Sequence, residues 1–504
     1  MARPTCKYLT ALIFASFGAS FQFYSFGVVN PAQQTLETWI NRTYALRYGD
    51  DGLNMTGLTL FWSFATSSIC IGACIGCLLM RPLAEHLGRR NGLIANGVLN
   101  IIGGAMEFAS KYVASPELFI LGRMVLGVCM GVSSGLVPMY LMEISPVAYR
   151  GAAGAAHEVS MACSEWVSTF MALPMILGNE RCWPVAFAFP AIPALLLVLF
   201  LPFVPESPQF LLLCRRERMQ AKQAVKAFVG DSKTAKEVFQ SLVREAVAAS
   251  EMRQEHEGLF MSTTELFKRK SLRIPVLISL LVMVAKQSTA CAAIMAFSTQ
   301  MFMKASLDDL TAELSSLGLA VAFFVFSLPS PILIERQGRR FWSLFQLSGC
   351  FICLGLLSIS IWLQDSYHLQ WASYGAIASL VLYMCVYGLG SPIPWMITGE
   401  LFAQQHRAVA VTLSTFVHWA LAFIVSVTYL PLQHLVGPAL SFIPFMVVLF
   451  VMIIALAILL PETKNREIED IVREFRQRSQ TLSRGLSRTF TLSQWTHNHP
   501  PELN

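Results

Sequence analysis

Twelve long apolar segments constrain the fold of this chain more than any other feature. About 20 apolar residues cross a bilayer as a helix. Segments of that kind centre on residues 8–30, 57–81, 92–111, 117–141, 152–176, 183–203, 273–303, 310–334, 342–363, 371–396, 408–432 and 438–460. Only 13% of the 504 residues are charged, against about 25% in soluble proteins. The sequence therefore predicts an all-α membrane protein with twelve transmembrane helices.

A polar block separates the first six apolar segments from the last six. It begins at Pro205, and the spacing of its apolar residues predicts amphipathic helices. The predicted organisation is a six-helix half over 1–204, a helical linker domain over 205–271, a second six-helix half over 272–460, and a largely disordered tail over 461–504.

Lysine and arginine cluster on alternate loops, on the linker and on the tail. The positive-inside rule then places both termini and the linker in the cytosol. The net charge of +6 fits loops at an anionic leaflet, so the lipid bilayer is the expected partner and nucleic acid is not. The loop after the first segment is predicted to lie outside, where Asn41 of an Asn-Arg-Thr sequon is a predicted glycosylation site.

The two halves repeat each other. The segment LGRR at 87–90 recurs as QGRR at 337–340, and PESP at 205–208 recurs as PETK at 461–464. Glu143 and Arg150 recur as Glu400 and Arg407. A six-plus-six repeat is typical of transporters that expose a midplane site alternately to the two sides of the membrane.

The repeated charges predict a gate at the cytosolic helix ends. Its expected members are Arg89, Arg90, Glu143, Arg150 and Glu206 in the first half, and Arg339, Arg340, Glu400, Arg407 and Glu462 in the second. Pairs within each set would hold the inner helix ends together and separate when the cytosolic side opens. The alternative, that they are only positive-inside charges and helix caps, does not account for the whole set occurring twice.

The seventh segment contains KQSTACAAIMAFST at Lys286–Thr299. Lysine and glutamine side by side are costly in lipid unless they face a cavity or a partner. We therefore expect a pore-lining helix. On the fifth segment, Glu158 and Glu165 are seven residues apart and share one helix face, so either carboxyl is a candidate for proton titration.

Several motifs together resemble the sugar-porter family of the major facilitator superfamily, and within it the animal facilitative glucose and fructose transporters. The resemblance covers most of the chain. It is carried by QFYSFGVVNPAQ at 22–33, NRTYALRYG at 41–49, GRMVLGVCMGVSSGLVPMYLMEISPVAYRGA at 122–152, VPESPQFLL at 204–212, GLGSPIPWMITGELF at 388–402 and PETK at 461–464. It implies the major facilitator fold, a central cavity and transport of monosaccharides.

The resemblance also implies a substrate site. The positions that match the family's sugar contacts, or lie beside them, are Gln22, Glu158, Lys286, Gln287, Trp395, His418 and Trp419. Several depart from the family pattern. A glutamine is replaced by Glu158, another by Lys286, and an asparagine by His418. Further polar or tyrosine positions read Ala292, Ala296, Phe297 and Phe323, and Gln209 replaces the arginine of the PESPR motif.

Glu158 and Lys286 suggest a hypothesis, because either charge alone would be costly in the membrane. The matching family positions face the cavity from opposite halves, so we expect an ion pair across it. Alternatively, Lys286 pairs with a neighbour on its own half or extends toward the interface. His418 is expected to be packed and hydrogen-bonded more often than to relay protons.

The predicted function is transport of glucose or fructose by alternating access, in facilitative mode, at the plasma membrane. A proton-linked or charged-solute porter using Glu158 and Lys286 is one alternative, and a sugar sensor that does not transport is another. The sequence shows no nucleophile–base set, metal cluster or phosphate-binding loop. We therefore predict that the chain is not an enzyme and needs neither cofactor nor metal.

Overall fold

A computed structural model describes residues 5–49, 52–145, 150–230, 234–244, 263–268, 270–304, 308–402 and 404–464. Every regular element in these ranges is a helix. The helices assigned to the membrane are α1 Cys6–Gly27, α2 Met55–His86, α3 Arg89–Tyr112, α4 Pro116–Ile144, α5 Arg150–Met171, α6 Trp183–Phe203, α7 Leu272–Met303, α8 Asp309–Ser327, α9 Arg339–Tyr367, α10 Trp371–Glu400, α11 Gln404–Val436 and α12 Ile443–Leu459.

Ten helices in the described ranges are long and apolar enough to cross a membrane. Helix α5, with 22 residues, and the shorter apolar α12 complete the twelve. The twelve predicted spans are therefore confirmed. Each apolar segment forms a helix because a bilayer offers no water to its backbone N–H and C=O groups, which must bond to each other.

The described part of the predicted linker is helical as well. It comprises Pro208–Leu213, Arg218–Val229, residues 234–244 and Thr263–Lys268. Phe228 is buried in one apolar cluster with Tyr8 of α1, and the Thr5 hydroxyl donates to the carbonyl of Ala227 at 2.8 Å. These contacts attach the linker to the first half. The three boundaries between the four predicted domains remain predictions, and residues 465–504 of the tail lie outside the described residues.

Helices α2 and α4 approach each other through small residues. A Cβ on Gly76 would lie 2.1 Å from the carbonyl oxygen of Val128, and a Cβ on Gly127 would lie 2.0 Å from that of Ile69. Both distances are below van der Waals contact, so only glycine fits. Close backbone approach at glycines spaced four apart is a common way to pack membrane helices.

The two halves meet along two helix pairs. Helix α2 packs against α11, and α5 packs against α8. The Trp166 ring of α5 stacks on Phe324 of α8 at 6.1 Å between centroids. This pairing leaves the space between α1, α5, α7, α8, α10 and α11 at the centre of the molecule.

Three of the helices around that centre are interrupted. Helix α1 contains a π-helical turn at Phe14–Ala19 and a 3-10 turn at Phe21–Phe23. Helix α7 breaks between Ser288 and Cys291, where Ala290 has φ +58°. Helix α10 breaks between Gly390 and Ile393. Non-helical backbone at membrane depth is tolerated where it is buried in protein or lines a cavity, and here it borders the central space.

Candidate substrate cavity

A central cavity lies between the two halves. Its lining atoms surround about 680 Å³ of empty space, part of which is open to solvent. The first half contributes α1 and α5, and the second contributes α7, α8, α10 and α11. The lining residues are Phe23, Phe26, Glu158, Met161, Glu165, Lys286, Gln287, Cys291, Ala292, Met295, Phe323, Tyr387, Ser391, Trp395, His418, Trp419 and Ala422.

Six of the seven predicted substrate residues line this cavity, namely Glu158, Lys286, Gln287, Trp395, His418 and Trp419. Gln22 does not. Its Oε1 accepts a hydrogen bond from the Ser133 hydroxyl of α4 at 2.9 Å, and its side chain is buried inside the first half. The position of Gln22 therefore argues against the substrate contact predicted for it.

Lys286 is held by its own half of the molecule. Its Nζ donates to the backbone carbonyl of Ser391 at 3.2 Å and lies 4.8 Å from the centroid of the Trp395 ring. Ser391 is located at the break in α10, and an indole face attracts a cation. In this conformation Lys286 therefore contacts neighbours on its own half, which is the alternative to the ion pair with Glu158.

Glu158 approaches the cavity from α5 of the other half. It is not within 4 Å of Lys286, since the ion pairs in the described ranges are Arg47–Glu117, Arg81–Glu85, Arg89–Glu143 and Arg339–Glu400. The predicted contact ion pair across the cavity is therefore not formed in this conformation. The two side chains line the same cavity from opposite halves, and opposite charges there attract each other across it.

His418 is packed between the two cavity tryptophans. Its ring lies 4.9 Å from Trp395 and 5.1 Å from Trp419 between centroids, in edge-to-face arrangement with both. The Gln287 amide contacts the imidazole nitrogens at 3.1 Å. His418 is thus packed and hydrogen-bonded, which is the state that the sequence favoured over a proton relay.

Two indole donors in the cavity wall have no acceptor. The Nε1 atoms of Trp395 and Trp419 are buried and have no hydrogen-bond partner in the described part of the chain. An unpaired buried donor costs about 1–3 kcal/mol. Both tryptophans border the cavity, so a ligand hydroxyl that reached either N–H would supply the missing acceptor.

The structure adds residues that the sequence did not place in the substrate site. Glu165 lines the cavity, as its spacing from Glu158 on one helix face allows. Tyr387 and Cys291 also line it, and no pattern in their segments distinguishes them from ordinary packing residues. Among the apolar replacements, Ala292 and Phe323 are in the wall, whereas Phe297 stacks on Tyr429 outside it, with 5.8 Å between ring centroids.

A second cavity continues from the first toward the predicted outer side. Its lining atoms surround about 250 Å³ of empty space, part of which is open to solvent, and it shares Glu165, Met295 and Phe323 with the central cavity. Its other lining residues are Asn30, Thr169, Ser298, Ser316, Leu319, Ala320 and Met384. The carboxyl of Glu165 thus lies where the two cavities adjoin.

Asn30 joins the two halves at the end of this second cavity. Its Nδ2 donates to the Ser298 hydroxyl at 2.6 Å, and its Oδ1 accepts from the Thr299 backbone N–H at 3.0 Å. Ser316 of α8 accepts a hydrogen bond from the Ser298 hydroxyl at 3.1 Å and another from the Thr299 hydroxyl at 2.8 Å. The segment that follows α1 is therefore hydrogen-bonded to α7 and, through Ser298 and Thr299, linked to Ser316 of α8. These contacts close the predicted outer side.

The predicted gate residues of the first half form one network. The Arg89 guanidinium pairs with Glu143 at 2.9 Å. The Glu206 carboxylate accepts from the backbone N–H groups of Arg89 and Arg90 at 3.1 and 2.9 Å, which caps the start of α3. The Ser207 hydroxyl donates to the other oxygen of Glu143.

The second half repeats this network with the equivalent residues. Arg339 pairs with Glu400 at 2.9 Å. Glu462 accepts from the backbone N–H groups of Arg339 and Arg340 at 2.8 and 3.1 Å, and the Thr463 hydroxyl donates to Glu400 at 2.5 Å. The side chains of Arg150 and Arg407 lie outside the described residues.

The same glycine precedes the capped helix in each half. Gly88 has φ +94° and Gly338 has φ +99°, and both face the capping carboxylate so closely that a Cβ would collide with Glu206 or Glu462. This explains why Gly-Arg-Arg and Pro-Glu recur together in the sequence.

Asn41 lies on the helix Gln33–Tyr48, in the loop predicted to be outside. Its Oδ1 accepts from the Leu53 backbone N–H at 2.8 Å. Glycosylation of its amide nitrogen remains a prediction.

A family model described as "Sugar (and other) transporter" matches residues 11–475 of the chain. The chain belongs to this sugar-transporter family of the major facilitator superfamily. Members of the family are transporters, so at that level the prediction that the chain is not an enzyme is supported.

Relatives of this sugar transporter extend over nearly its whole length. It is 32% identical over 486 residues to solute carrier family 2, facilitated glucose transporter member 3, of Ovis aries, covering 95% of this chain and 96% of that protein. It is 32% identical over 478 residues to facilitated glucose transporter member 1 of Gallus gallus, covering 94% and 95%. Membership of a family of multi-pass membrane proteins is thus established.

Solved structures show the same fold. A partially occluded inward-open structure of the xylose transporter XylE from E. coli aligns with a TM-score of 0.73 at 18% identity, covering 91% of this chain and 99% of that one. The proton:xylose symporter XylE bound to 6-bromo-6-deoxy-D-glucose aligns with a TM-score of 0.75 at 19% identity, covering 92% and 98%. The major facilitator fold predicted from the sequence is confirmed.

Proposed function

We propose that this sugar transporter moves a monosaccharide, glucose or fructose, across the plasma membrane by facilitated alternating access. The observation that carries the proposal is the pair of unpaired indole donors, Trp395 and Trp419, in the wall of a cavity between the two halves. With the Gln287 amide beside them, they offer hydrogen bonds and aromatic surface to a ring that carries many hydroxyls. The relatives called facilitated glucose transporters agree with this substrate class.

The route of the sugar follows from the contacts at the two ends. The Asn30 bonds to Ser298 and Thr299 hold the predicted outer end closed, so they must break before a sugar can enter from that side. The charge networks at the other end tie helices together within each half. We propose that they keep each half rigid while the halves rock about the cavity, with both termini in the cytosol.

A proton-linked or charged-solute porter is the second candidate. It is favoured by Glu158 and Lys286, which bring opposite charges into the cavity from opposite halves. A facilitative carrier of neutral sugars has no evident need for either charge, and both are costly at this depth in the membrane.

Uptake of labelled glucose and fructose into proteoliposomes that contain the purified chain tests the proposal. The expected result is saturable uptake that is the same at acidic and neutral outside pH, and that Trp395→Phe weakens. Uptake that collapses without a pH gradient would instead establish the proton-linked carrier. Sugar binding without any flux would establish a sensor and exclude transport.

A further inference from the structure

The carboxyl group of Glu165 has no partner although it is deeply buried. Its side chain is 6% exposed, and it makes no hydrogen bond or ion pair within the part of the chain that the structure describes. Glu165 lines both the central and the outer cavity, and its Oε1 lies against Gly27 of α1. An unpaired carboxylate inside a membrane is strongly disfavoured, so its place at a ligand cavity suggests that a ligand supplies the missing partner.

The other charges around the cavity leave this carboxylate uncompensated. Glu158 is on the same face of α5, and Lys286 on α7 is the only lysine or arginine among the lining residues. The Lys286 ammonium already donates to the Ser391 carbonyl and lies on the Trp395 ring. The lining thus contains two carboxyl side chains and one ammonium, and that ammonium is bound to Ser391 and Trp395 of the second half and not to Glu165.

The remaining lining groups favour an organic cation over a metal ion. In the described ranges, no three His, Cys, Asp or Glu side chains are arranged to hold a metal ion. The aromatic residue Phe323 lines both cavities, and Tyr387 lines the central one. An ammonium group needs one carboxylate and is stabilised by nearby ring faces, and both are present.

We propose that the preferred substrate is a monosaccharide that carries a protonated amino group, and that Glu165 binds this ammonium. The inference rests on the proposed function, since it specifies the sugar that the cavity recognises. The hydroxyls of the amino sugar meet the indole donors of Trp395 and Trp419, and the amine faces the α5 carboxyl. Glu158 and Lys286 keep their mutual attraction and do not exchange with the ligand charge.

Competition for labelled glucose uptake in proteoliposomes tests the preference directly. The competitors are unlabelled glucose, 2-amino-2-deoxyglucose and its neutral N-acetyl derivative, at a pH at which the amine is protonated. The amino sugar is expected to inhibit about tenfold better than glucose, which corresponds to ~1.4 kcal/mol, and the N-acetyl derivative no better than glucose. Equal inhibition by the amino sugar and glucose would overturn the proposal.

Glu165→Gln, compared with Glu313→Gln, locates the preference. Glu313 is a half-buried carboxyl of α8 that lines neither cavity. Glu165→Gln is expected to abolish the tenfold advantage of the amino sugar, and Glu313→Gln to retain it. An advantage that survives Glu165→Gln in protein shown to reach the bilayer would contradict the assignment. Should Glu165→Gln fail to fold, the wild-type competition series still decides the preference.

Membrane voltage provides an independent readout. Uptake of the protonated amino sugar moves one positive charge, so an inside-negative potential should accelerate it and leave glucose uptake unchanged. If acid outside instead stimulates glucose uptake, and Glu165→Gln removes that stimulation, then Glu165 binds a proton and the proposal is wrong. If no sugar is transported, equilibrium binding of labelled 2-amino-2-deoxyglucose to the purified chain separates the two proposals: binding that needs Glu165 supports this inference while the transport function fails.

Discussion

The ammonium of Lys286 donates a hydrogen bond to the backbone carbonyl of Ser391 at 3.2 Å. The two residues belong to the same half, and Ser391 lies where α10 is interrupted. Lys286 is therefore anchored to the wall of the cavity, while Glu158 faces it from the other half at more than ion-pair distance. Lys286 and Glu158 are therefore expected to attract each other across the cavity without forming a contact ion pair.

A double-mutant cycle measures the remaining attraction between them. Glu158→Gln removes the counter-charge of Lys286 and Lys286→Gln removes that of Glu158, whereas the double variant removes both members of the pair. Because the charges attract through a medium of low polarity, the double variant should be less impaired than the two single losses predict, by ~1 kcal/mol or more. The measurement is kcat/KM for labelled glucose, and strictly additive losses would show that the charges act independently.

Removing the indole donors should weaken sugar binding without removing the rings. In Trp395→Phe and Trp419→Phe the aromatic surface persists but the unpaired N–H is lost. Each change should raise KM about fivefold, since a hydrogen bond contributes ~1 kcal/mol. Trp371→Phe is the control, because that side chain is exposed on the outside of α10 and is 62% accessible. A KM that is unchanged in both cavity variants would remove the observation on which the proposed function rests.

Loss of the Asn30 amide should open the predicted outer side. Asn30→Ala leaves the Ser298 hydroxyl and the Thr299 N–H without their partner in the other half. The outward-open state should then be more populated, and Cys291 in the cavity wall should react several-fold faster with a membrane-impermeant thiol reagent added outside. Cys291→Ser in the same background must abolish the increase.

Asn179→Ala is the matched control for that experiment. The Asn179 side chain accepts backbone hydrogen bonds from Arg181 and Cys182 within one loop of the first half. It should leave the labelling rate unchanged. An equal increase in both variants would mean that outer polar residues stabilise the loops generally and that Asn30 has no special role in closure.

The fold could be predicted from sequence because the bilayer leaves few choices. Apolar segments of sufficient length must be helices, and the repeated Gly-Arg-Arg and Pro-Glu motifs match the two networks closed by Glu206 and Glu462. A central cavity could be predicted because residues that are costly in lipid, such as Lys286, must face a cavity or a partner.

The details that could not be predicted depend on side-chain direction and on local backbone breaks. Gln22 belongs to a family motif, but its amide turns toward Ser133, because α1 changes to a 3-10 turn at that point. Ala290 is a good helix former, yet it takes φ +58° at the break in α7. Lys286 reaches the Ser391 carbonyl only because α10 is interrupted there. The sequence around Lys286 does not show which acceptor the ammonium binds.

Glycine at position 127 should be essential for packing α2 against α4. A Cβ there would lie 2.0 Å from the Ile69 carbonyl oxygen, so Gly127→Ala must separate the two helices. Overpacking of this kind costs ~1–3 kcal/mol or more. Gly318→Ala makes the same change on α8 where no atom lies within 4 Å. The melting temperature of the purified protein should fall several degrees for Gly127→Ala and stay constant for Gly318→Ala; equal melting would show that α2 and α4 can part without loss.

The two capping carboxylates should contribute equally to stability, because the repeat places them in the same surroundings. Glu206 accepts from backbone N–H groups at the start of α3, and Glu462 does so at the start of α9. Alanine at either position leaves those groups unpaired beside the positive end of a helix, at a cost of ~1–2 kcal/mol. Glutamine should lose less, since its amide oxygen still accepts. Glu335→Ala, at an exposed carboxylate on the helix Ser330–Gln337 just before Gly338, should leave the thermal unfolding curve in place. A drop for Glu335→Ala as large as for Glu206→Ala would mean that net charge on this side, and not helix capping, explains why the motif occurs twice.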